Sequence, residues 1–150
     1  MSTHPHPALP LLADVDQKDA EAGLALLDEY IAAFNAQDAT RWSRTLHYPH
    51  VRFAGEEVKI WHTPEAYAAD NDIRQLAEKT GWARSRWDFR HLVQGNADKL
   101  HFALQFTRYD AGNQPQGSYQ AFYVLTRQNG RWGVQARSSY AGIIGKNTAF

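Results

Sequence analysis

Residues 99–109, KLHFALQFTRY, decide the fold because apolar and polar side chains alternate along them. The even-numbered positions from 100 to 106 are all apolar, and this period of two is typical of a strand with one buried face. The next strand, residues 118–127 (SYQAFYVLTR), differs because Phe122 and Val124 make its second face apolar as well. In an antiparallel sheet with one solvent-exposed face, apolar and polar side chains should alternate along each strand. The apolar second face of this strand therefore predicts that another surface covers it.

The remaining strands follow from alternation and turn residues. Asn129-Gly130 is a strong hairpin signal and places a final strand at residues 131–140. Residues 87–94 alternate before the turn at residues 95–98, and residues 51–61 predict a short hairpin that turns at Gly55-Glu56-Glu57. The sequence therefore predicts four antiparallel strands in its second half, preceded by a short hairpin.

Helical periodicity fills the first half of the chain. Between residues 16 and 37, Leu24, Leu27, Ile31 and Phe34 recur at steps of three and four. Asp38 can cap a short second helix that carries Trp42 and Leu46 inward.

A third helix begins at Thr63-Pro64-Glu65, where Thr serves as N-cap and Pro occupies the first helical position. It runs to Lys79 and stops at Gly81, although Asp70-Asn71-Asp72 can bend or break it. Its buried stripe includes Tyr67. The prediction is an α+β fold in which three helices cover one side of a sheet.

Composition excludes several classes of protein. The 150 residues include 16 Lys and Arg against 16 Asp and Glu, with no basic run, so we expect neither nucleic acid nor membrane as a partner. There is no cysteine, which removes disulfides and thiolate chemistry. No stretch resembles a signal peptide or a membrane span, so we expect a cytoplasmic protein.

The domain organisation predicted is simple. Residues 1–15, rich in proline, form a flexible N-terminal arm, residues 16–142 form the domain, and residues 143–150 form a C-terminal tail. Because three helices cover only one face of the sheet, the apolar second face predicts a homodimer packed sheet to sheet.

Residues 34–42, FNAQDATRW, together with this element order, resemble the nuclear transport factor two-like superfamily, which includes SnoaL-like and ketosteroid-isomerase-like proteins. The strings LHYPHVRF, GWARSRWDF and RWGVQARSSY also resemble an uncharacterised bacterial subgroup of it. The resemblance implies a cystatin-like α+β barrel. In it, a cone-shaped curved antiparallel sheet wraps a long N-terminal helix and leaves an apolar cavity.

If the chain resembles the enzymes of that superfamily, we expect carboxylates or an Asp–His pair that face the cavity. The sequence gives these patterns little support. Asp88 is the only carboxylate well inside a long strand, and its alternation with Arg90 is typical of a surface charge. Asp98 and Asp110 fall in turns, where aspartate serves the backbone.

Residues 46–53, LHYPHVRF, are the best remaining candidate for chemistry. Pro49 forces Tyr48 out of helical geometry, so we expect the short helix to end here, with His47 at its C-terminus. His50 and Arg52 share one face of the following strand; if that face is inward, His50 is the candidate catalytic base. No third ligand at a suitable spacing accompanies the histidines, so we expect no metal and no cofactor.

Arg137 alternates with neutral residues in the last strand and needs a partner, because an unpaired buried charge is costly. We expect an ion pair with Glu56, Glu57 or Asp88; the alternative is a ligand carboxylate held by the guanidinium. Trp82 either closes the mouth of the cavity or anchors a loop. The ligand-binding residues expected in the cavity are Arg52, Tyr67, Trp82, Trp87, Phe102, Tyr123 and Arg137.

Three functions remain open at this point. The first, which we favour, is a protein that binds a small apolar or aromatic ligand in the cavity. The second is an acid–base enzyme of isomerase or dehydratase type that uses His50 with Tyr67, Tyr123 or Arg137. The third is a non-catalytic association module whose cavity is filled and whose outer sheet face binds a partner.

Overall fold

The computed structural model describes residues 15–140, so the predicted arm and tail lie almost wholly outside the described residues. The helices are α1 (Gln17–Asn35), α2 (Ala39–Ser43), α3 (Pro64–Asp70) and α4 (Ile73–Thr80). The strands are β1 (Leu46–Ala54), β2 (Glu57–Trp61), β3 (Trp82–Gly95), β4 (Lys99–Asp110), β5 (Pro115–Gln128) and β6 (Arg131–Ser139). The chain is α+β, with a curved and unclosed sheet.

Side-chain caps start the helices where the sequence predicts them. Asp16 caps α1 by accepting from the backbone N–H of Lys18, and Asp38 caps α2 in the same way. Thr63 caps α3, and Gly81 ends α4 with φ of +76°, a conformation that glycine adopts without steric cost. The third predicted helix is divided into α3 and α4 at Asn71.

The six strands lie in the order β2-β1-β6-β5-β4-β3. Neighbouring strands are antiparallel except β1 and β6, which are parallel, so the predicted curved antiparallel sheet is confirmed with one parallel pair. The β1–β2 hairpin comes early in the chain but joins the sheet beside its last strand. Asn129 and Gly130 both have positive φ, as the predicted hairpin turn requires.

The core lies between α1 and the inner face of the sheet. The inner side chains of β4, residues 100, 102, 104 and 106, are buried as their alternation predicts. The buried stripe of α1 is rotated slightly from the prediction, because Gly23, Leu27, Tyr30 and Phe34 are buried while Leu24 and Ile31 are only partly so. Gly23 lets the helix approach β4, since a Cβ there would lie 2.7 Å from Leu100 Cδ1.

Two strand boundaries differ from prediction. β1 begins at Leu46, so His47 lies in the strand and the prediction that it occupies a helix C-terminus is wrong. Pro49 is tolerated there because the pairing of β1 with β6 is interrupted between Leu46 and Val51. β3 begins at Trp82 rather than near Trp87, which places residues 82–85 in the sheet instead of a loop.

Candidate functional site

Most of the residues that line one small cavity in the core are aromatic. The cavity lies between α1, Trp42 of α2 and the inner face of β3, β4 and β5. Its lining residues are Tyr30, Ile31, Phe34, Trp42, Ser85, Trp87, Phe106 and Tyr123. Its volume is about 20 Å³, which is room for about one water molecule.

A polar network centred on Arg137 lies beside this cavity. Arg137 is 1% exposed and donates from Nε to His50 Nε2 at 3.0 Å. It also donates from Nη1 to the hydroxyl of Tyr30 at 2.6 Å and from Nη2 to the hydroxyl of Tyr67 at 2.7 Å. The guanidinium stays charged, because arginine is not deprotonated in proteins. One fixed cation therefore binds three neutral side chains from β1, α1 and α3.

The partners of Arg137 are not those the alternation suggested. Glu56 and Glu57 are exposed, and none of the ion pairs among residues 15–140 joins them or Asp88 to Arg137. Asp88 instead accepts hydrogen bonds from Gln105 and Thr107 on the outer side of the sheet. The predicted ion pair of Arg137 is wrong.

His50 and Arg52 point inward, so the inward alternative for β1 is confirmed. His50 is fully buried, and its Nδ1 lies 2.9 Å from the carbonyl oxygen of Val134. Since that carbonyl only accepts and Arg137 only donates, His50 carries its proton on Nδ1 and presents a lone pair at Nε2 to the guanidinium. Burial, followed by the charge of Arg137, holds the pKa of His50 well below its usual value, so the imidazole is neutral.

Arg52 brings a second guanidinium into the interior, where it is 2% exposed. Burial, followed by repulsion from Arg137, lowers the pKa of Arg52 to about 10. The group remains protonated near neutral pH, so Arg52 adds a second positive charge to the interior.

Two tyrosine hydroxyls join the network to the cavity wall. The oxygen of Tyr30 accepts from Arg137. The hydroxyl of Tyr123 lies 3.3 Å from that of Tyr30, and either hydroxyl can donate in this contact, because a hydroxyl oxygen has two lone pairs. Both rings form part of the cavity wall. Burial raises the pKa of Tyr123 well above its usual value, so its hydroxyl stays a donor.

The structure distributes the predicted ligand-binding residues over three environments. Trp87 and Tyr123 line the cavity, whereas Tyr67, Arg137 and Arg52 lie in the polar interior beside it. Trp82 and Phe102 belong to the packed core. Trp82 donates from Nε1 to Ser85 and packs edge-on against Phe34, so it is not at a cavity mouth.

Sequence reasoning missed Tyr30, the residue that joins network and cavity. The signal was present, because Tyr30 is three residues after Leu27 and four before Phe34, on the buried stripe of α1. Its hydroxyl partners could not be deduced from that spacing.

Two negative findings apply to residues 15–140. No group of three or more histidine, aspartate or glutamate side chains is arranged to hold a metal ion. No helix in this range is long and apolar enough to cross a membrane.

Comparison with known proteins reveals similarity of fold alone. No family model matches the sequence, and no curated protein does. Among solved structures, a protein of unknown function with a cystatin-like fold from Nostoc punctiforme is 14% identical, with a TM-score of 0.71, covering 87% of this chain and 96% of that chain.

Two further structures are similar. One from Catenulispora acidiphila, in complex with S-DNPA, is 11% identical with a TM-score of 0.66, covering 83% of this chain and 94% of that one. An NTF2-like protein of unknown function from Shewanella oneidensis is 7% identical with a TM-score of 0.63, covering 81% of this chain and 98% of that one.

Proposed function

We propose that this chain, which has the cystatin-like fold of the NTF2-like proteins, binds a small planar ligand that carries an oxygen acceptor. The observation that carries the proposal is the hydrogen-bonded series from Arg137 through Tyr30 to Tyr123, because both tyrosine rings line an aromatic cavity. With Tyr30 donating to Tyr123, the proton of Tyr123 is left for a ligand. Aromatic walls favour a flat ring, and the hydroxyl of Tyr123 favours a carbonyl, phenol or enol oxygen at its edge.

Binding requires the cavity walls to move, since about 20 Å³ does not hold a ring. Trp87 is the wall residue best suited to this, because it is only partly buried. Its ring contacts other aromatic rings of the wall, and its one hydrogen bond runs 3.2 Å from Nε1 to the carbonyl of Leu27. The ligand-bound structure of the Catenulispora acidiphila protein supports ligand binding as an ability of the fold.

A matched pair of ligands tests the proposal. We expect 2-naphthol to bind about tenfold more tightly than naphthalene, the equivalent of one hydrogen bond of about 1.4 kcal/mol. Tyr123→Phe should reduce that preference to about twofold or less. Tyr119→Phe is the control, because Tyr119 packs on Phe106 without lining the cavity.

Isothermal titration gives the two affinities for each variant, and native mass spectrometry of the purified protein reports any small molecule it retains. Absence of binding by both ligands, or an equal preference in wild type and Tyr123→Phe, would refute the proposed function.

The acid–base alternative places a further demand on His50. Its lone pair at Nε2 accepts from Arg137, so proton abstraction from a substrate requires that bond to open first. His50 as a catalytic base therefore remains a prediction that the geometry makes less favourable than binding.

The outer sheet face supports a second candidate function, association with another copy of the chain. Phe53, Val58, Ile60 and Phe122 are 37–59% exposed despite their size. Phe53 is paired with Val58 and Val51 with Ile60, so these side chains share one face of the β1–β2 hairpin. Val51 and Val124 are both opposite Ala136, which makes the apolar face continuous across four strands.

We propose that this face forms a homodimer interface, because contiguous apolar patches of this kind mark interaction sites. Phe53→Glu should convert a dimer into a monomer, measured by light scattering after size-exclusion chromatography. Gln75→Glu adds the same charge on the exposed side of α4 and should leave the mass unchanged. A monomeric wild type would refute the dimer without bearing on the cavity.

A further inference from the structure

A groove on the protein surface gathers positive charge away from the cavity. It lies where α2, the start of β1 and the β5–β6 hairpin meet, and Arg44, His47, Tyr48, Gln128 and Arg131 are among its lining residues, along with Leu46 and Pro64. The side chains of Arg44 and Arg131 are exposed, and Arg131 donates to the backbone carbonyl of Arg44 at 3.0 Å. Neither guanidinium takes part in an ion pair within residues 15–140.

His47 adds a buried polar atom to this groove. It is 3% exposed, and its Nε2 is shielded from solvent without a hydrogen-bond partner in the described part of the chain. The ring is held by Gly133, where a Cβ would lie 2.6 Å from His47 Cδ2. A buried polar atom without a partner is costly, so a ligand or a proton that satisfies Nε2 would be favourable.

The neighbouring hydrogen bonds determine which nitrogen of His47 carries the proton. Thr126 donates from its hydroxyl to Gln135 Oε1 at 2.8 Å, so its oxygen accepts from His47 Nδ1 at 3.0 Å. Nε2 is therefore the atom that gains a proton when the imidazole is charged. Burial, followed by the positive charge of Arg131, lowers the pKa of His47 and keeps the ring neutral while the groove is empty.

The charges facing the groove favour an anion. Arg44 faces it from the end of α2 and Arg131 from β6, whereas Glu65 of α3 is the acidic group beside Tyr48. Glu29 on the adjoining surface is already bound by Arg41 at 2.7 Å. Two guanidiniums suit a single oxyanion group better than a polyanion, which would need a longer basic surface.

We propose that this groove binds one oxyanion group of a small molecule between Arg44 and Arg131, and that His47 takes up a proton at Nε2 when the group binds. The negative charge of the ligand offsets the repulsion between Arg131 and the imidazolium of His47. Binding is therefore strongest at acidic pH, and it weakens as pH rises and His47 loses its proton.

Sulfate is a suitable probe because it does not itself titrate between pH 5 and 8. The titration is followed by NMR of the histidine ring nitrogens, with His47→Gln assigning the signal and sodium chloride holding the ionic strength constant. We expect sulfate to move the titration midpoint of His47 upward by about 0.5 or more, since an opposite charge nearby favours the charged form.

Charge-removal variants test the site itself. Arg131→Gln and Arg44→Gln, both at exposed positions, should weaken sulfate binding about fivefold or more. Arg74→Gln, an exposed arginine on α4, should bind as wild type does. His47→Gln should retain binding but lose its dependence on pH.

Three results would overturn the proposal. The titration midpoint of His47 would be unchanged by sulfate, or chloride would shift it as much as sulfate does. Alternatively, Arg74→Gln would weaken sulfate binding as much as Arg131→Gln does. These outcomes are independent of the cavity, because Tyr123→Phe should bind sulfate normally.

Discussion

The hydrogen bond from Arg137 to Tyr30 should contribute measurably to stability, and Tyr30→Phe tests this directly. The substitution removes the hydroxyl that accepts from Nη1 at 2.6 Å and leaves the buried ring in place. A buried hydrogen bond to a charged group is worth about 1.5–3 kcal/mol, and leaving a charged donor without that acceptor costs a similar amount. We therefore expect the free energy of unfolding to fall by about 2 kcal/mol.

Tyr123→Phe is the matched control, because it removes the same atom from the neighbouring ring. The hydroxyl of Tyr123 makes only a long, neutral contact with Tyr30 at 3.3 Å. Its loss should cost about 0.5 kcal/mol, so the two variants should differ by about 1.5 kcal/mol. Tyr67→Phe should behave like Tyr30→Phe, since its hydroxyl accepts from Nη2 at 2.7 Å.

Urea unfolding followed by tryptophan fluorescence measures these differences, and a loss of about 2 kcal/mol corresponds to a fall in Tm of about 4–8 °C in a chain of this size. Equal stability of Tyr30→Phe and Tyr123→Phe would show that the bond to Arg137 contributes nothing net. The account of Arg137 as the anchor of the hydrogen-bonded series would then fail.

Three other outcomes follow from the same contacts. Gly133→Ala should lower the free energy of unfolding in urea by about 1–3 kcal/mol, because the added Cβ would overlap the ring of His47. Gly130→Ala is the control: its Cβ meets no neighbouring atom, so only the strain of positive φ should lower its stability. The lowered pKa of His50 means that the unfolded chain binds a proton which the folded chain does not. Stability is therefore fully present above the ordinary histidine pKa of 6.5 and should fall below it, with a slope of up to about 1.4 kcal/mol per pH unit from this residue. His50→Gln should reduce that slope, and an unchanged slope in urea unfolding at pH 7 and pH 5 would contradict it. Trp87→Leu should raise the association rate of 2-naphthol in stopped-flow fluorescence if this ring is the moving wall, and a slower rate would assign the movement elsewhere.

Alternation was sufficient to predict which side chains of β4 are buried, because that strand has one face on the core. In β1 the period of two placed His50 with Arg52 and Val51 with Phe53 but left open which pair is inward, and the structure turns His50 and Arg52 to the interior. Local capping chemistry was sufficient for the starts of α2 and α3 and for the stop at Gly81.

The hydrogen-bond partners of Arg137 could not be predicted from alternation or from capping. Arg137 binds residues that are 70, 87 and 107 positions away in sequence, and those distances close only when α1, α3 and β1 have packed together. The break between α3 and α4 was foreseen at Asp70-Asn71-Asp72. The buried Asn71 stabilises it locally by donating to the carbonyl of Tyr67, four residues earlier.

Stability and binding make different demands on the same tyrosines, and Tyr123 is where the two separate. A buried charge costs several kcal/mol to desolvate, so Arg137 is not explained by stability alone when an apolar side chain could fill its place. The bonds to Tyr30 and Tyr67 offset that cost, whereas the hydroxyl of Tyr123 adds little to the fold. If Tyr123→Phe leaves the protein as stable as wild type and yet removes its preference for 2-naphthol, the polar interior serves a ligand. If it changes neither, the network is only a way of satisfying a buried arginine.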